Sequence, residues 1–409
     1  MKIVITNVYC YLNKGDAGIV NAMIENIRKL LPDSDIKIIS LYPSIDQGKY
    51  VSDVEIVGSP IAVDAKQRGI KKIFNNVRCF FHIKKSLRSG KLDTAEQVIK
   101  DADIVISCGG GYMQSFNIKH FLTDFIYHYT QLYITRFYKK PYYIFAQTIG
   151  PFSKITKKLV APIINDATAV FAREKISFDY VKANFDNKNV VLTSDVAFLL
   201  NSQTINNFQI KKNGTNVGVT LRSWNFPNHI NAQHLKDKYQ QSIVEFIDWL
   251  TRNDTNVFIM PQCIGPGTDN DLIISNKIYN KIQNKNKVKV VDKDLTPGQL
   301  KYLYGKMDYF VGTRMHSNIF SLSEGIPCLA ISYDPKTDGI MELFGLSDYV
   351  IDINEIDTKK LIQTFKKLVQ NKKEVKNKID KKLIDIKDNA FDNFQRILDA
   401  YEKDKNYDS

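Results

Sequence analysis

Short apolar runs rich in valine, isoleucine and aromatic residues alternate along the chain with longer amphipathic stretches of helical period. This alternation is typical of repeated strand–helix–strand units on parallel sheets. Two series of strands are predicted, and a polar stretch rich in asparagine and glutamine, residues 201–216, separates them. The first series is Lys2–Thr6, Ile36–Ser40, Val54–Val57, Asp103–Ser107, Tyr142–Gln147, Ala169–Ala172 and Val190–Thr193; the second is Val217–Leu221, Val257–Met260, Val288–Val291, Tyr309–Val311 and Cys328–Ser332.

Each series is long enough to form its own α/β domain. We therefore predict two Rossmann-like, doubly wound domains that face a central cleft: residues 1–205, a linker at 206–216, and residues 217–357. Residues 358–409 have helical patterns, and the last helix is a candidate to cross back to the first domain. Because open parallel sheets bind ligands beyond the carboxyl ends of their strands, functional side chains are expected in the loops that follow the strands.

Composition narrows the class of protein. With 409 residues, of which 44% are hydrophobic, the chain is neither peptide-sized nor wholly disordered. No apolar run approaches the ~18 residues of a membrane span, and the N-terminus lacks a signal-peptide pattern, so a cytoplasmic location is expected. Five scattered cysteines without a CxxC pair predict reduced, mostly buried thiols. No metal-binding motif is visible, so neither a metal nor another cofactor is expected.

The net charge of +13 would suit an anionic partner such as nucleic acid, lipid or a polyanionic substrate. Nine cations and no acid lie in the segment Lys66–Lys91, whose apolar residues recur at helical spacing, with the cations expected on one face and the aromatics on the other. Two interpretations stay open: a helix at an anionic membrane surface, or a surface helix packed on the core. Basic-aromatic motifs are otherwise scarce, so no nucleic acid is expected.

One loop of the second series combines an arginine and a histidine at the start of a helix. It reads Gly312-Thr313-Arg314-Met315-His316, and the apolar helical pattern that follows ends at Gly325. Thr313 is predicted to cap this helix, so Arg314 and His316 would lie in its first turn, beside unsatisfied backbone N–H groups. Arginine binds phosphate or carboxylate with two parallel hydrogen bonds, and histidine transfers protons near neutral pH. The loop is therefore a candidate anion-binding acid/base site.

Other strand ends carry residues suited to an anionic or sugar ligand. Gly109, Gly110 and Gly111 let the backbone approach a ligand closely, although their pattern is neither a Walker loop nor a dinucleotide fingerprint. Asp16 is predicted as a helix N-cap, and Asp16 and Asp195 are candidates to orient sugar hydroxyls. The remaining cations at strand ends are Arg173, Arg222 and Lys336. Together with Arg314 they would suit a ligand with two or three negative charges.

The order of motifs along the chain is informative as a whole. The segments are Asn13-x-Gly15-Asp16, Gly109-Gly110-Gly111, Gln147-x-Ile149-Gly150-Pro151, Ala172-Arg173, Ser194-Asp195-Val196-Ala197-Phe198, Gly312-Thr313-Arg314-Met315-His316 and Ile331-Ser332-Tyr333-Asp334-Pro335-Lys336. Across residues 1–350 this order resembles the polysaccharide pyruvyl transferase family, and the last two segments are the most specific. The resemblance implies a GT-B-like fold and a transferase that moves the enolpyruvyl unit of phosphoenolpyruvate onto a sugar as a pyruvate ketal.

The resemblance also implies roles and partners. Phosphoenolpyruvate would be a co-substrate, and the acceptor would be a sugar of an exopolysaccharide or capsule, presented on a lipid-linked precursor at the inner face of the membrane. His316 would act as general acid/base and Arg314 would bind the donor. The other substrate-binding candidates are Arg173, Lys336, Arg222, Asp16, Gly109, Gly110, Gly111, Thr313 and Asp195. The second domain would hold the donor and the first the acceptor.

Two alternatives are compatible with the same residues. A nucleotide-sugar glycosyltransferase of the same architecture would use the basic cluster to hold a diphosphate. A non-catalytic glycan-binding protein belongs to a different class, and the placement of Arg314 and His316 argues against it. The acceptor sugar, the stereochemistry of the ketal and the oligomeric state are left open by the sequence.

Overall fold

The computed structural model describes residues 1–51, 53–64, 66–206, 208, 210, 214–227, 229–265 and 270–407. They divide into two compact units, each considered by itself below. The first unit comprises Met1–Tyr11, Ile19–Leu199 and the chain from Lys387 onward; the second comprises Leu12–Gly18 and Leu200–Ile386. Asp16 is therefore part of the second unit, whereas its sequence position suggested the first. Five residues of the predicted linker, 207, 209 and 211–213, lie outside the described ranges.

The first unit is built on a parallel sheet. Its strands in the described ranges are β1 (Lys2–Val8), β2 (Asp35–Ser40), β3 (Glu55–Gly58), β4 (Ile104–Ser107), β5 (Gly110–Ser115), β6 (Tyr142–Phe152), β7 (Ala169–Ala172) and β8 (Val190–Leu192). They are ordered β3-β2-β1-β4-β6-β7-β8, and β5 pairs with part of β6. All four residues of β4 are buried, as expected for a central strand covered on both faces.

The second unit repeats this architecture with a smaller parallel sheet. Its strands in the described ranges are β9 (Thr215–Thr220), β10 (Thr255–Ile259), β11 (Val288–Val290), β12 (Tyr309–Gly312), β13 (Cys328–Ser332) and β14 (Val350–Asp352). They are ordered β11-β10-β9-β12-β13-β14. Close packing between β9 and β12 needs a glycine, because a Cβ on Gly218 would lie 2.7 Å from the ring of Phe310.

Helices connect the strands in both units. They are α1 (Lys14–Leu30), α2 (Pro43–Asp46), α3 (Gly69–Ser89), α4 (Thr94–Asp101), α5 (Ile118–His120), α6 (Ile126–Phe137), α7 (Lys154–Asn165), α8 (Lys175–Asn184), α9 (Ala232–Arg252), α10 (Asp271–Lys281), α11 (Pro297–Tyr304), α12 (Met315–Ser323), α13 (Pro335–Leu343), α14 (Thr358–Gln370) and α15 (Lys372–Tyr407). A π-helical turn, Phe121–Phe125, joins α5 to α6. Residues of α15 from Lys387 onward group with the first unit.

The predicted α/β class is confirmed, and each of the twelve predicted strands is present, two with the predicted bounds and the others shifted at one or both ends. Two strands were missed. β5 starts within the glycine run that reads as a loop, and β14 has only three residues. None of the five cysteines forms a disulfide, and all except Cys79 are buried, in agreement with the prediction.

Candidate active site

Both sheets place candidate residues at the point where the strand order reverses. The reversal falls between β1 and β4 in the first unit and between β9 and β12 in the second. Ligands of open parallel sheets bind beyond the carboxyl ends of such strands. Gly109 follows β4, whereas Arg222 and Arg314 follow β9 and β12. Each unit therefore offers a candidate site of its own.

His316 lies in the first turn of α12, just beyond β12. The residue is partly exposed although its Nε2 is buried, and its imidazole packs against Gly15 in the first turn of α1, so closely that a Cβ on Gly15 would overlap the ring. Residues 12–18 group with the second unit, so the contact is internal to that unit. The partly exposed Asp16 follows Gly15 directly. The predicted general acid/base and a predicted sugar-binding carboxylate thus flank the same glycine.

The two predicted helix caps at this site are wrong. Arg314, with extended backbone, is the N-cap of α12, while Thr313 is fully buried and its N–H donates to the Thr220 hydroxyl at 3.1 Å. Asp16 lies inside α1, where its carboxylate accepts a hydrogen bond from the Asn13 amide at 2.7 Å. The helix α12 starts at Met315, one residue later than predicted, and α1 starts at Lys14, before the predicted cap, so the cap residues were misplaced. The predicted end of α12 is confirmed, since Gly325 follows it with φ +73°.

Arg314 has a carboxylate partner that the sequence did not reveal. Its Nη2 and Nε donate to Oδ1 of Asp271 at 2.6 and 3.2 Å, and Nε is 3.1 Å from Oδ2. Asp271 is fully buried at the start of α10 and also accepts the N–H of Cys263 at 2.9 Å. The guanidinium is therefore fixed in orientation, and its charge is balanced by the carboxylate. Contact between Arg314 and a donor stays a prediction.

Arg222 is held by aromatic rings beyond β9. Its guanidinium carbon lies 4.4 Å from the ring centroid of Tyr333 and 5.3 Å from that of Trp224, and the two rings are 4.7 Å apart. Such cation–π contacts orient an arginine while leaving its charge uncompensated by the rings. Lys336, in the first turn of α13, has its Nζ 3.6 Å from the Asp334 carboxylate and is partly exposed. These cations belong to the same unit as His316.

Arg173 and Asp195, both predicted to contact substrate, contact each other in the first unit. Nη1 of Arg173 is 2.6 Å from Oδ2 of Asp195, and the two side chains are 4% and 1% exposed. Nε of Arg173 also donates to the Thr148 hydroxyl at 2.9 Å, and Oδ1 of Asp195 accepts the N–H of Ala197 at 2.9 Å. The pair fixes the ends of β7 and β8, and any substrate contact remains a prediction.

The backbone at the switch point of the first unit is unusual. Asn7 near the end of β1 and Ala146 within β6 have φ values of +64° and +43°, which non-glycine residues rarely adopt. Gly110 has φ +143°, and a Cβ on Gly109 would lie 3.2 Å from two carbonyl oxygens of β6. Gly110 and Gly111 begin β5, so the predicted loop is partly a strand. Clustered backbone strain of this kind is characteristic of binding sites.

A polar cluster around Tyr112 lies at the same edge and was missed from the sequence. The Tyr112 hydroxyl is 2.5 Å from that of Ser107 and donates to the Cys108 carbonyl at 3.0 Å, and the Tyr112 ring stacks on His128 at 4.1 Å. Burial lowers the pKa of His128 to about 3, so this imidazole is neutral at physiological pH. His128 sits in the apolar pattern of α6, where nothing in the sequence distinguishes it from a core residue.

The structure gives no sign of a metal centre or a membrane span within its described ranges. No group of three histidine, cysteine, aspartate or glutamate side chains there is arranged to hold a metal ion. None of the helices α1 to α15 in the described ranges is both long and apolar enough to cross a membrane.

The fold defines the class of protein. A glycosyltransferase from Rickettsia africae is similar over 98% of both chains, with 14% identity and a TM-score of 0.56. The UDP-N-acetylglucosamine 2-epimerase of Neisseria meningitidis is similar over 98% of this chain and all of that one, with 11% identity and a TM-score of 0.59. These structures have the GT-B fold of two parallel α/β domains, and at such identities the likeness establishes the fold alone.

The family follows from the sequence comparison. Residues 13–335 match the family model of polysaccharide pyruvyl transferases, and the chain belongs to that family. It is also 23% identical over 407 residues to the amylovoran biosynthesis protein AmsJ of Erwinia amylovora, which covers 93% of this chain and 94% of the relative. The predicted family is therefore confirmed, and the protein is a transferase of polysaccharide biosynthesis.

Proposed function

We propose that the protein transfers the enolpyruvyl unit of phosphoenolpyruvate to two hydroxyls of a sugar in an exopolysaccharide or its lipid-linked precursor, forming a pyruvate ketal. Family membership supports the reaction class. The observation that carries the assignment is the switch point of the second unit, where His316 in the first turn of α12 shares one sheet edge with Arg222 and Arg314. That combination suits an anionic donor that must be protonated.

The donor carries a phosphate and a carboxylate, so its site must provide positive charge and N–H donors. The N-terminal turn of α12 supplies backbone N–H groups at the positive end of the helix dipole. Arg222 and Lys336 supply side-chain charge, and Arg314 supplies a guanidinium that Asp271 holds rigidly. Preorganised donors of this kind stabilise negative charge on a leaving phosphate.

The proposed chemistry balances without a redox step or added water. One sugar hydroxyl gives up its proton to the general acid/base and bonds to C2 of phosphoenolpyruvate, while the methylene carbon of phosphoenolpyruvate gains a proton and becomes a methyl group. The C2–O bond to phosphate then breaks, and the second hydroxyl bonds to C2 and gives its proton to the departing phosphate. His316 is the proposed general acid/base, and Asp16, which directly follows the glycine on which His316 packs, is the residue proposed to orient a hydroxyl.

An assay of donor turnover tests the proposal. The parent protein is incubated with phosphoenolpyruvate and a panel of glycan acceptors, and phosphate release is followed together with the mass of the glycan. We expect phosphate release that requires an acceptor, with a pyruvyl group added to that acceptor. Turnover of a UDP-sugar instead would favour a nucleotide-sugar glycosyltransferase, which the fold accommodates. Glycan binding without turnover of either donor would indicate a non-catalytic protein.

We also propose that α3 attaches the protein peripherally to the anionic inner face of a membrane. Ile83 and Leu87 of this helix are buried, so part of it packs on the core. Ile70, Phe74 and Phe81 are 85%, 66% and 63% exposed, so these apolar side chains share the solvent side with cations, contrary to the predicted separation of faces. Exposed aromatics beside cations favour the interface of an anionic bilayer.

Vesicle binding tests the attachment. Lys71, Lys72, Lys84 and Lys85 are replaced with glutamine, and the matched control replaces Lys373, Lys376, Lys381 and Lys382 of α15, which removes the same charge from another exposed surface. Each cation near an anionic surface contributes about 1 kcal/mol, so we expect the α3 variant to leave anionic vesicles at low salt and the control to stay bound. Equal release of both variants, or no binding by the parent, contradicts the proposal.

A further inference from the structure

Helix α3 carries a surface pocket near its C-terminal end. The pocket has a volume of about 390 Å³, and its lining residues are Phe81, Lys84, Lys85, Arg88 and Ser89. Three of these residues are cations and none is acidic. Phe81 and the three cations recur at helical spacings of three and four, so they share one face of the helix. The pocket therefore concentrates positive charge on a short stretch of surface.

These three cations have no acidic partner among the described residues. No carboxylate of those ranges lies within 4.0 Å of the charged groups of Lys84, Lys85 or Arg88. Glu96, which contacts the same turn of α3, is 1% exposed and accepts from the Ser86 hydroxyl at 2.6 Å on the buried side. Like charges three and four positions apart on a helix repel each other. A bound anion would relieve this repulsion.

The cations project from a part of the helix that is firmly packed. Ile83 and Leu87 are buried, and the ring of Phe80 lies 5.3 Å from that of Tyr133 in α6. Nζ of Lys84 lies 5.8 Å from the same tyrosine ring, a contact that orients the ammonium group without cancelling its charge. The helix C-terminus contributes the equivalent of about half a negative charge, which three cations outweigh.

The pocket lies away from the edge that carries the candidate active-site residues. Asn76 of α3 donates to the Tyr127 hydroxyl at 3.2 Å, and the more C-terminal Lys84 lies beside Tyr133, so α3 and α6 run in the same direction. Because α6 leads into the start of β6, its C-terminal end approaches the amino edge of the parallel sheet. Substrates of the proposed reaction would bind at the carboxyl edge. A ligand of this pocket is therefore a separate group.

We infer that this pocket binds a phosphomonoester or diphosphate group. Lysine and arginine donate charge-assisted hydrogen bonds to phosphate oxygens, and Arg88 is able to donate two in parallel. A group with two or more negative charges matches three cations better than a phosphodiester, which carries one. Such a group occurs on membrane lipids and on free phosphate compounds. Only the lipid source rests on the proposed attachment of α3, and the site itself is independent of the proposed reaction.

The inference differs from general electrostatic attachment in what it demands of the helix. Attachment by summed charge depends on the number of cations near the membrane and is weakened equally by the loss of any of them. A phosphate site depends on the cations of the pocket and not on others. Lys85→Gln/Arg88→Gln removes two exposed pocket cations, and Lys71→Gln/Arg78→Gln removes an exposed lysine and arginine of the same helix outside the pocket.

The lipid source is tested by vesicle co-sedimentation of the full chain. Vesicles containing phosphatidic acid, a phosphomonoester, are compared with phosphatidylserine vesicles of matched surface potential. If the ligand is a lipid, we expect the parent and Lys71→Gln/Arg78→Gln to prefer phosphatidic acid, and Lys85→Gln/Arg88→Gln to lose that preference by about ten-fold or more, corresponding to about 1.4 kcal/mol. All three proteins are checked for folding by thermal unfolding.

The free source is tested by calorimetric titration with inorganic pyrophosphate. The cations of the second unit are the same in all three proteins, so a difference between them reports on the pocket. Binding at least about ten-fold weaker in Lys85→Gln/Arg88→Gln alone supports the site, and without a preference for phosphatidic acid it identifies the free source. Equal weakening in both variants, or no dependence on Lys85 and Arg88 with either probe, overturns the inference. Neither measurement requires turnover, so failure of the proposed reaction is distinguishable.

Discussion

The two switch points share a topology and differ in charge. In each sheet, two central parallel strands deliver the loops that carry the candidate residues. Beyond β9 and β12 these residues are Arg222, Arg314 and His316, whereas around Tyr112 in the first unit they are amides, hydroxyls and a neutral histidine. The same backbone arrangement therefore carries cations and a partly exposed histidine in one unit, and buried, uncharged polar side chains in the other.

Each unit also contains a buried arginine–aspartate pair near its site. Arg314 with Asp271 serves the second unit, and Arg173 with Asp195 serves the first. The shortest N–O distance is 2.6 Å in both pairs, but Arg314 bonds Asp271 through Nε and Nη2, whereas Arg173 bonds Asp195 through Nη1 and donates its Nε to Thr148. The two pairs also differ in what lies next to them. Arg314 is the N-cap of the helix that carries His316, so its orientation directly affects the proposed chemistry. Four predictions follow the contrast between the units.

The largest effect is expected at His316. His316→Ala should reduce kcat by about 10²–10⁴-fold, because general acid/base groups contribute on that scale. Steady-state phosphate release measures it, and thermal unfolding checks that the variant is folded. The matched first-unit variant, His128→Phe, should change kcat far less, since His128 is neutral and buried behind Tyr112. Normal turnover in His316→Ala would remove it from the mechanism.

Substitutions in the two buried arginine–aspartate pairs are expected to have the next largest effect, a loss of stability. Asp271→Asn should lower the free energy of unfolding by about 3–5 kcal/mol, because it breaks a buried ion pair, and Asp195→Asn should lower it less, because the carboxylate of Glu174 remains 3.4 Å from Nε of Arg173. Chemical denaturation measures the loss. In the fraction that stays folded, Asp271→Asn should raise the KM for phosphoenolpyruvate, and Asp195→Asn should leave that constant near its parent value. An equal change in the KM for phosphoenolpyruvate in the two variants would show that both pairs stabilise the fold and that neither acts specifically on donor binding.

Gly15→Ala should have an intermediate effect. The added Cβ would overlap the His316 ring, so the imidazole or the start of α1 must move. Misplacement of a catalytic group by about 1 Å can cost up to 10²-fold, and we expect a fall in kcat of about ten-fold or more with a small change in Tm. Gly339→Ala, at a second-unit glycine where a Cβ would meet nothing within 4 Å, is the control. Identical kinetics for Gly15→Ala and Gly339→Ala would show that the contact with Gly15 does not position His316 for catalysis.

The pH dependence of stability is expected to reflect His128 in the first unit. The folded-state pKa of His128, about 3, lies below the value of 6.5 for an unperturbed histidine. Between these values the unfolded chain binds a proton that the folded chain does not, so stability is lost as the pH falls through this window, by at most about 1.4 kcal/mol per pH unit. His128→Phe should unfold with a shallower acid dependence than the parent. Parallel pH profiles would show that His128 titrates normally.

Local patterns predicted the sheets well because their strands are short, apolar and separated by amphipathic helices. Ala169–Ala172 and Cys328–Ser332 were predicted with the observed bounds, whereas β5 was hidden because glycines at its start favour a loop. The Arg314–His316 loop stood out because a strand delivers it to a helix start. Asp271 could not be recognised from the sequence, because it is 43 positions from Arg314 and their contact depends on tertiary packing. Tyr112 and His128 were missed for the same reason.

The central claim is that the second unit holds the donor and the first unit holds the sugar. Calorimetric titration with phosphoenolpyruvate of the parent, Arg222→Gln and Tyr112→Leu tests it most directly. Arg222 contacts the rings of Trp224 and Tyr333 in the second unit, and Tyr112 lies at the edge of the first. The account predicts that Arg222→Gln weakens donor binding about ten-fold or more while Tyr112→Leu leaves it unchanged. Loss of donor binding in Tyr112→Leu, with Arg222→Gln like the parent, would contradict it.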